Sequence, residues 1–220
     1  AGVFSGDDAE TAPQDGTEVE TDEPEEDNGF QGTVGNDLLN AGDEDDSVTG
    51  KSGDDVLRMN GGDDVADGND GDDLLRGGSG NDDLSGSDGD DTLFGDVGDD
   101  TLDGGDGNDE LYGGWGKDAL TGGKGDDALY GGGSDDVLTD WEGSNTLDGG
   151  GGDDTLQGGF DADAVTQAKG GDGDDTFIDG DADATIHGDA GDDVVQSGHG
   201  DSEVFGGGGN DEVSGGIGTD

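Results

Sequence analysis

Along most of the chain every ninth residue is apolar and its neighbours are mostly polar or small. Counted in units of nine from Gly32, the eighth position is apolar in all twenty complete units, from Leu39 through Leu57, Leu75, Leu111 and Leu147 to Val213. One inward residue between two outward ones predicts a short extended stretch over positions seven to nine, and the glycine-rich first six positions predict a turn. Fifteen units follow without a slip from Gly32 to Thr166, Gln167-Ala168-Lys169 breaks the register, and five more units run from Gly170 to Ser214 before a partial GGIGTD.

A three-residue strand cannot make a stable sheet alone, so the units are expected to coil, with every second strand stacked about 4.8 Å above its predecessor. Odd units then build one parallel sheet and even units the other, with two units to a turn. Twenty units make about ten turns and a rod of roughly 48 Å. The fold class expected is all-β, a parallel solenoid of short strands.

The organisation follows from the same count. Residues 1–31 hold eleven acids, no base and both prolines, Pro13 and Pro24, which reads as an acidic linker or irregular N-terminal cap. The alternative is a decayed repeat around Gly6-Asp7-Asp8 or a folded cap. Residues 32–166 are the main repeat block, 167–169 the insertion, and 170–220 the continuation. The chain opens without methionine and stops partway through a repeat, so it reads as a piece of a larger protein with flanking domains.

Composition narrows the chemistry. Only 25% of the 220 residues are hydrophobic, 54 are glycine, and 62 acids face 6 bases for a net charge of -56. So negative a chain repels phosphate backbones and anionic lipid, which excludes nucleic acid and membrane insertion and points to cations. There is no cysteine, hence no disulfide and no thiolate metal site. No apolar run approaches the roughly 18 residues of a membrane span, and the N-terminus lacks a signal-peptide layout.

The acids are placed rather than scattered. Position six is aspartate in seventeen of twenty units, the exceptions being Asn145, Ala184 and Ser202, and position four is glycine in sixteen. The repeats hold 46 aspartates against 5 glutamates, whereas residues 1–31 hold 5 against 6. Solubility alone would not prefer the shorter acid; a short arm suits a ligand that must reach an ion held in its own turn. Calcium takes six to eight oxygens at about 2.3 to 2.6 Å in irregular geometry, and tightly curled glycine turns offer carbonyls beside the aspartate. One small aliphatic per nine residues cannot offset the backbone entropy of so glycine-rich a chain, and stacked carboxylates add repulsion. Without metal the chain is expected to be disordered. Position five, as in Asp54, Asp72 or Asp126, is often asparagine (Asn36, Asn81, Asn108, Asn210), and reads either as a turn former capping local backbone or as a further ligand.

Units such as GGSGNDDLS (77–85), GGDGNDELY (104–112), GGKGDDALY (122–130) and GGDGDDTFI (170–178) resemble the RTX, or repeat-in-toxin, nonapeptide GGxGxDxUx. The resemblance covers about 189 residues by the count above. It implies a right-handed parallel β-roll with calcium between adjacent turns, held by position-six carboxylates and loop carbonyls. It also implies type I export of an unfolded chain that folds outside the cell. The ligands it assigns are Asp37, Asp46, Asp55, Asp64, Asp73, Asp82, Asp91, Asp100, Asp109, Asp118, Asp127, Asp136, Asp154, Asp163, Asp175, Asp193 and Asp211. Asp161 and Ala182 in place of glycine, Ala184 in place of the acid, and the insertion weaken the expectation of calcium sites from Phe160 to His187. About one Ca2+ per repeat would bring roughly 40 positive charges and relieve most of the self-repulsion.

Other motifs fail on inspection. Asp179 to Ala190 opens like an EF-hand, but Ala184 stands where that loop needs glycine and Ala190 where it needs glutamate. Gly50-Lys51-Ser52 lacks the earlier glycine of a phosphate loop, and only His187 and His199 are present, with no HExxH or GxSxG. No catalytic constellation is recognisable, and the chain is read as non-enzymatic. One surface feature stands apart: Arg58, Arg76, Phe94, Tyr112 and Tyr130 fall at spacings of eighteen on one outward ladder, which either stiffens the sheet or serves self-association or docking. The functional reading is an extracellular, calcium-driven folding and export module of a secreted protein. The alternatives are a calcium-rigidified scaffold of a surface layer, fibre or matrix, and an accessory module of an extracellular hydrolase or toxin.

Overall fold

Leu111 pairs in parallel register with Leu93 one turn before it and with Leu129 one turn after it, 18 residues away in each direction. This relation, repeated along the chain, is the fold. The computed structural model describes residues 18–20, 29–159, 165–180 and 183–216, and its regular elements are all β-strands. Alternate strands belong to two parallel 11-stranded sheets, so the odd and even units separate as their spacing predicts. No helix long and apolar enough to cross a membrane occurs among the described residues.

Position eight forms the core. Leu57, Leu75, Leu93, Leu111 and Leu129 of one sheet meet Leu84, Leu102, Leu120 and Leu138 of the other, all at 1% exposure or less. Each such leucine contributes about 1.5–3 kcal/mol on burial. On the last described rung Val213 is 50% exposed.

Most strands are longer than the pattern predicts, running six residues rather than three, as in Glu110–Trp115. The ladder skips position one and resumes at positions two and three, where Gly114 pairs with Gly132 and Trp115 with Gly133. Gly114 holds a φ of 115°, and a Cβ there would collide with the carbonyl of Asp96 one turn below. A left-handed backbone at position two carries the strand around the corner; glycine adopts it most readily, and Lys51, Asn60, Asn69, Ser87, Asp96 and Asp189 hold the same positive φ in other units.

Two boundaries move. Within residues 1–31, Glu18–Glu20 pairs with Leu38–Asn40, and Gly29–Gln31 pairs with Ser47–Thr49, so these two pieces add a rung to each sheet. Residues 1–17 and 21–28 lie outside the described residues. The insertion also shifts: Gln167, Ala168 and Lys169 pair with Thr146, Leu147 and Asp148 and are in register. The three surplus residues precede them, between Gly158 and Thr166, because Ala168 takes the core place above Leu147 and Thr166 the buried place of the position-six acid. A cavity lined by Leu147, Ala168, Phe177, Ala184 and Ile186 lies near this break, where Ala168 stands in place of leucine and Ala184 in place of the position-six acid.

The EF-hand mimic lies partly in the strand Asp183–Ala190, and Gly50-Lys51-Ser52 closes the strand Ser47–Ser52. Neither segment forms the loop its motif would need.

Candidate metal centre

Each position-six aspartate sits where the turn passes into the strand, and both sides of its peptide are engaged by adjacent turns. The N–H of Asp91 donates to Oδ1 of Asp109 at 2.8 Å, and the carbonyl of Asp91 accepts from the N–H of Glu110 at 2.9 Å. The same exchange recurs from Asp37 to Asp193, so Oδ1 is a fixed part of the stacking. Oδ2 is not. In Asp55, Asp64, Asp73, Asp82, Asp91, Asp100, Asp109, Asp118, Asp127, Asp136, Asp154, Asp175 and Asp193 that oxygen is buried and meets no donor. A buried carboxylate oxygen left so is costly, and its recurrence along one face calls for a common partner.

Position one provides the space. An ideal Cβ on Gly113 would lie 2.5 Å from Oδ2 of Asp118 and 2.6 Å from the carbonyl oxygen of Gly131; on Gly131 it would lie 2.5 Å from Oδ2 of Asp136 and 2.7 Å from that of Gly149. Glycine thus keeps open a cradle faced by a carboxylate oxygen of its own unit and a carbonyl oxygen of the next turn. Gly86, Gly95, Gly104 and Gly188 repeat the arrangement.

The electrostatics fit the same partner. Burial, the largest effect, raises the carboxyls of Asp64, Asp73, Asp100, Asp109, Asp136 and Asp175 to about 7, against partial relief from the backbone N–H they accept. Asp91 and Asp154 rise to about 6 for the same reason. Neighbouring carboxylates push in the same direction, so a cation in the cradle would favour the charged form that the fold alone resists. Among the described residues no point is faced by three or more Asp, Glu, His or Cys side chains. An ion there would draw much of its shell from backbone oxygens, which suits a hard cation of high coordination number such as calcium.

The predicted set divides. The thirteen aspartates with an open Oδ2 share this environment, whereas Oδ2 of Asp37 accepts from the N–H of Thr33 at 2.5 Å and its hydroxyl at 2.9 Å. Asp46 is half-buried with Oδ2 capping Gly42 N–H at 2.9 Å, and Asp211 is half-buried near the end of the described ladder. Asp163, Asp161 and Ala182 lie outside the described residues. Position five takes the capping role, though toward the next turn rather than its own: Asp90 Oδ1 accepts from the N–H of Asn108 at 2.8 Å, and Asn108 Oδ1 from that of Asp126 at 2.9 Å.

One buried acid escaped the sequence reading. Asp140 stands at position one, where glycine is usual, and is fully buried with neither oxygen in a well-formed hydrogen bond. Burial and then the facing Asp127 raise its carboxyl well above the ordinary range. Asp179 occupies the same position in a later unit and accepts from the hydroxyl of Ser202 at 3.0 Å. The legible signal was an acid at a glycine position.

On the outer surface the ladder forms as its spacing predicts. Phe94 and Tyr112 stack at 4.8 Å and Tyr112 and Tyr130 at 4.9 Å, nearly parallel. Arg76 turns aside to pair with Asp96, and His187 stacks on Phe205 at 4.6 Å farther along.

Comparison with known proteins agrees with this geometry. No similar curated protein is found. The family model of the RTX calcium-binding nonapeptide repeat (4 copies) matches residues 27–58, 60–93, 85–120, 112–139, 141–166, 169–202 and 187–220. A solenoid of aspartate- and glycine-lined turns, matched over nearly its whole length, belongs to the RTX calcium-binding repeat family.

Proposed function

We propose that the thirteen buried position-six aspartates, together with Asp37, Asp46 and Asp211, hold calcium between successive turns, and that filling these sites drives the chain to fold. The observation that carries this reading is the file of buried Oδ2 atoms without donors beside glycine cradles. Calcium, when bound, supplies positive charge and oxygen coordination. The chain's own residues orient the carboxylates through Oδ1, exclude water by burial, and keep the cradle open with glycine.

Coupling of metal to folding makes the chain a sensor of its compartment. We read it as part of a larger secreted protein, exported unfolded by a type I system and folded in calcium-rich surroundings outside the cell, with activity residing in flanking domains. Far-ultraviolet circular dichroism tests the coupling. A coil-like spectrum in chelator and a β spectrum in millimolar calcium are expected; an unchanged β spectrum after exhaustive dialysis against EDTA overturns it.

A second reading rests on the stacked Phe94, Tyr112 and Tyr130, flanked by Arg58 and Arg76: a calcium-stiffened rod that associates through this ladder in a surface layer, fibre or matrix. Light scattering separates the two. Calcium-dependent self-association that Tyr112→Ser with Tyr130→Ser abolishes supports the scaffold, and a monomer at all calcium concentrations removes it.

A further inference from the structure

Two described units carry aspartate at position one, 140–148 and 179–187, and both lack the acid at position six, where Asn145 and Ala184 stand. The acid has moved rather than vanished. In the first of these units the geometry shows where it goes.

Asp140 ends the strand Val137–Asp140 and is 0% exposed. A Cβ on Gly122, one turn below, would touch Oδ2 of Asp140 and lie 2.7 Å from Oδ2 of Asp127. Two carboxylates from adjacent turns therefore face one enclosed space that elsewhere holds one carboxylate and one carbonyl oxygen. Both oxygens of Asp140 and the Oδ2 of Asp127 are buried without a well-formed hydrogen bond, the Glu142 N–H giving Asp140 only partial relief against the facing Asp127. Asn145 retains only the stacking half of the missing acid: its Oδ1 accepts from the N–H of Asp127 at 2.9 Å, while its Nδ2 donates to the carbonyl of Glu142 at 3.2 Å. An amide N–H cannot face a cation, so the unit's own sixth position is lost as a ligand.

We propose that Asp127 and Asp140 together form a two-carboxylate divalent-cation site above Gly122, binding calcium more tightly than the one-carboxylate cradles along the same face. This rests on the reading that the position-six aspartates hold calcium. Two like charges in one buried space repel unless a cation lies between them, and affinity for calcium rises with the number of charged ligands. Asp140 thus compensates for Asn145 from the neighbouring position.

Equilibrium dialysis of the full chain against radioactive calcium reads the sites directly, comparing the unmodified chain with Asp140→Gly, Asp140→Asn and the double variant Asp140→Gly/Asn145→Asp. The unmodified chain should show one ion bound about tenfold more tightly than the rest, reflecting its added charged ligand. Asp140→Gly, which restores the usual glycine, and the near-isosteric Asp140→Asn should bring that ion down to the affinity of the others, because Asp127 alone then faces the cradle. The double variant, with the acid returned to position six, should bind one further ion of ordinary affinity. A tight ion that persists in Asp140→Asn overturns the inference, as does the absence of any tighter ion in the unmodified chain. An unmodified chain that takes up no calcium overturns the calcium reading itself, which is a separate outcome.

Discussion

Asp118 reaches down one turn to accept the backbone N–H of Asp100 at 2.9 Å, and the oxygen beside the one it uses has no donor. One carboxylate thus has two separable duties, to stitch the turns and to face the cradle. The chain already contains a natural separation of them: Asn145 accepts the N–H of Asp127 with its amide oxygen but offers no second acceptor. Asp118→Asn should therefore keep the calcium-loaded fold and lose one ion. Asp118→Ala should lose the ion and also leave the Asp100 N–H buried without a partner, at a further cost of about 1–3 kcal/mol. Calcium stoichiometry by dialysis, with thermal unfolding in saturating calcium, separates the variants. Equal melting of the two would show that Oδ1 contributes nothing to stacking.

The cradle can be closed without touching any charge. A methyl group on Gly113 would press on Oδ2 of Asp118 and the carbonyl of Gly131, at 2.5 and 2.6 Å. Gly113→Ala should weaken calcium uptake there and destabilise the loaded fold by about 1–3 kcal/mol, the usual range for overpacking. Gly151 is the control, since a Cβ there meets nothing within 4 Å and its φ is not positive. Gly151→Ala should alter stability by no more than about 0.5 kcal/mol. Unfolding midpoints in calcium decide it, and equal effects at the two positions would remove the cradle as the reason for glycine at position one.

The leucine column should behave as one continuous core. Leu111 is 0% exposed between Leu93 and Leu129, so Leu111→Ala should lower the stability of the loaded fold by about 2–5 kcal/mol. Val213, half-exposed on the last described rung, should tolerate Val213→Ser with little loss. Denaturant unfolding in saturating calcium measures both, and equal costs would mean that burial does not set the cost at position eight.

The nine-residue period made the sheets legible because position eight and the 18-residue pairing are the same fact seen in sequence and in space. It also placed the thirteen inward carboxylates, since a residue two before the core position must lie at the mouth of the strand. Strand length was not legible: glycine reads as turn, yet Gly114 and Gly132 continue the ladder after position one is skipped. Nor was the site of the insertion, because Val165 and Ala168 both satisfy an apolar eighth position and only pairing with Leu147 selects Ala168. Asp140 was hidden by the rule itself. In a chain this rich in acid, one more aspartate at an off-motif position stands out only when Gly122 and Asp127 are seen to share its space.

Protons and calcium should compete for the same carboxylates. In Asp64, Asp73, Asp100, Asp109, Asp136 and Asp175 the fold without metal raises the carboxyl from 3.8 to about 7, so the folded chain binds these protons more tightly than the unfolded chain does. The resulting stability of the metal-free fold is fully present below pH 3.8 and is lost progressively as pH rises to about 7, where the unfolded chain is already ionised. In chelator, β structure should therefore grow on acidification from pH 7 toward pH 4, helped by the fall in net negative charge. In calcium the sign reverses: wherever acidification has folded the metal-free chain, a proton must leave each of these carboxyls before an ion enters, so the calcium midpoint should rise above its value at pH 7 as the pH falls toward 4. Circular dichroism titrations at the two pH values, with and without chelator, measure both arms. A midpoint that does not move would show that the carboxyls are ionised before calcium arrives, and that burial is not what holds them in their neutral form.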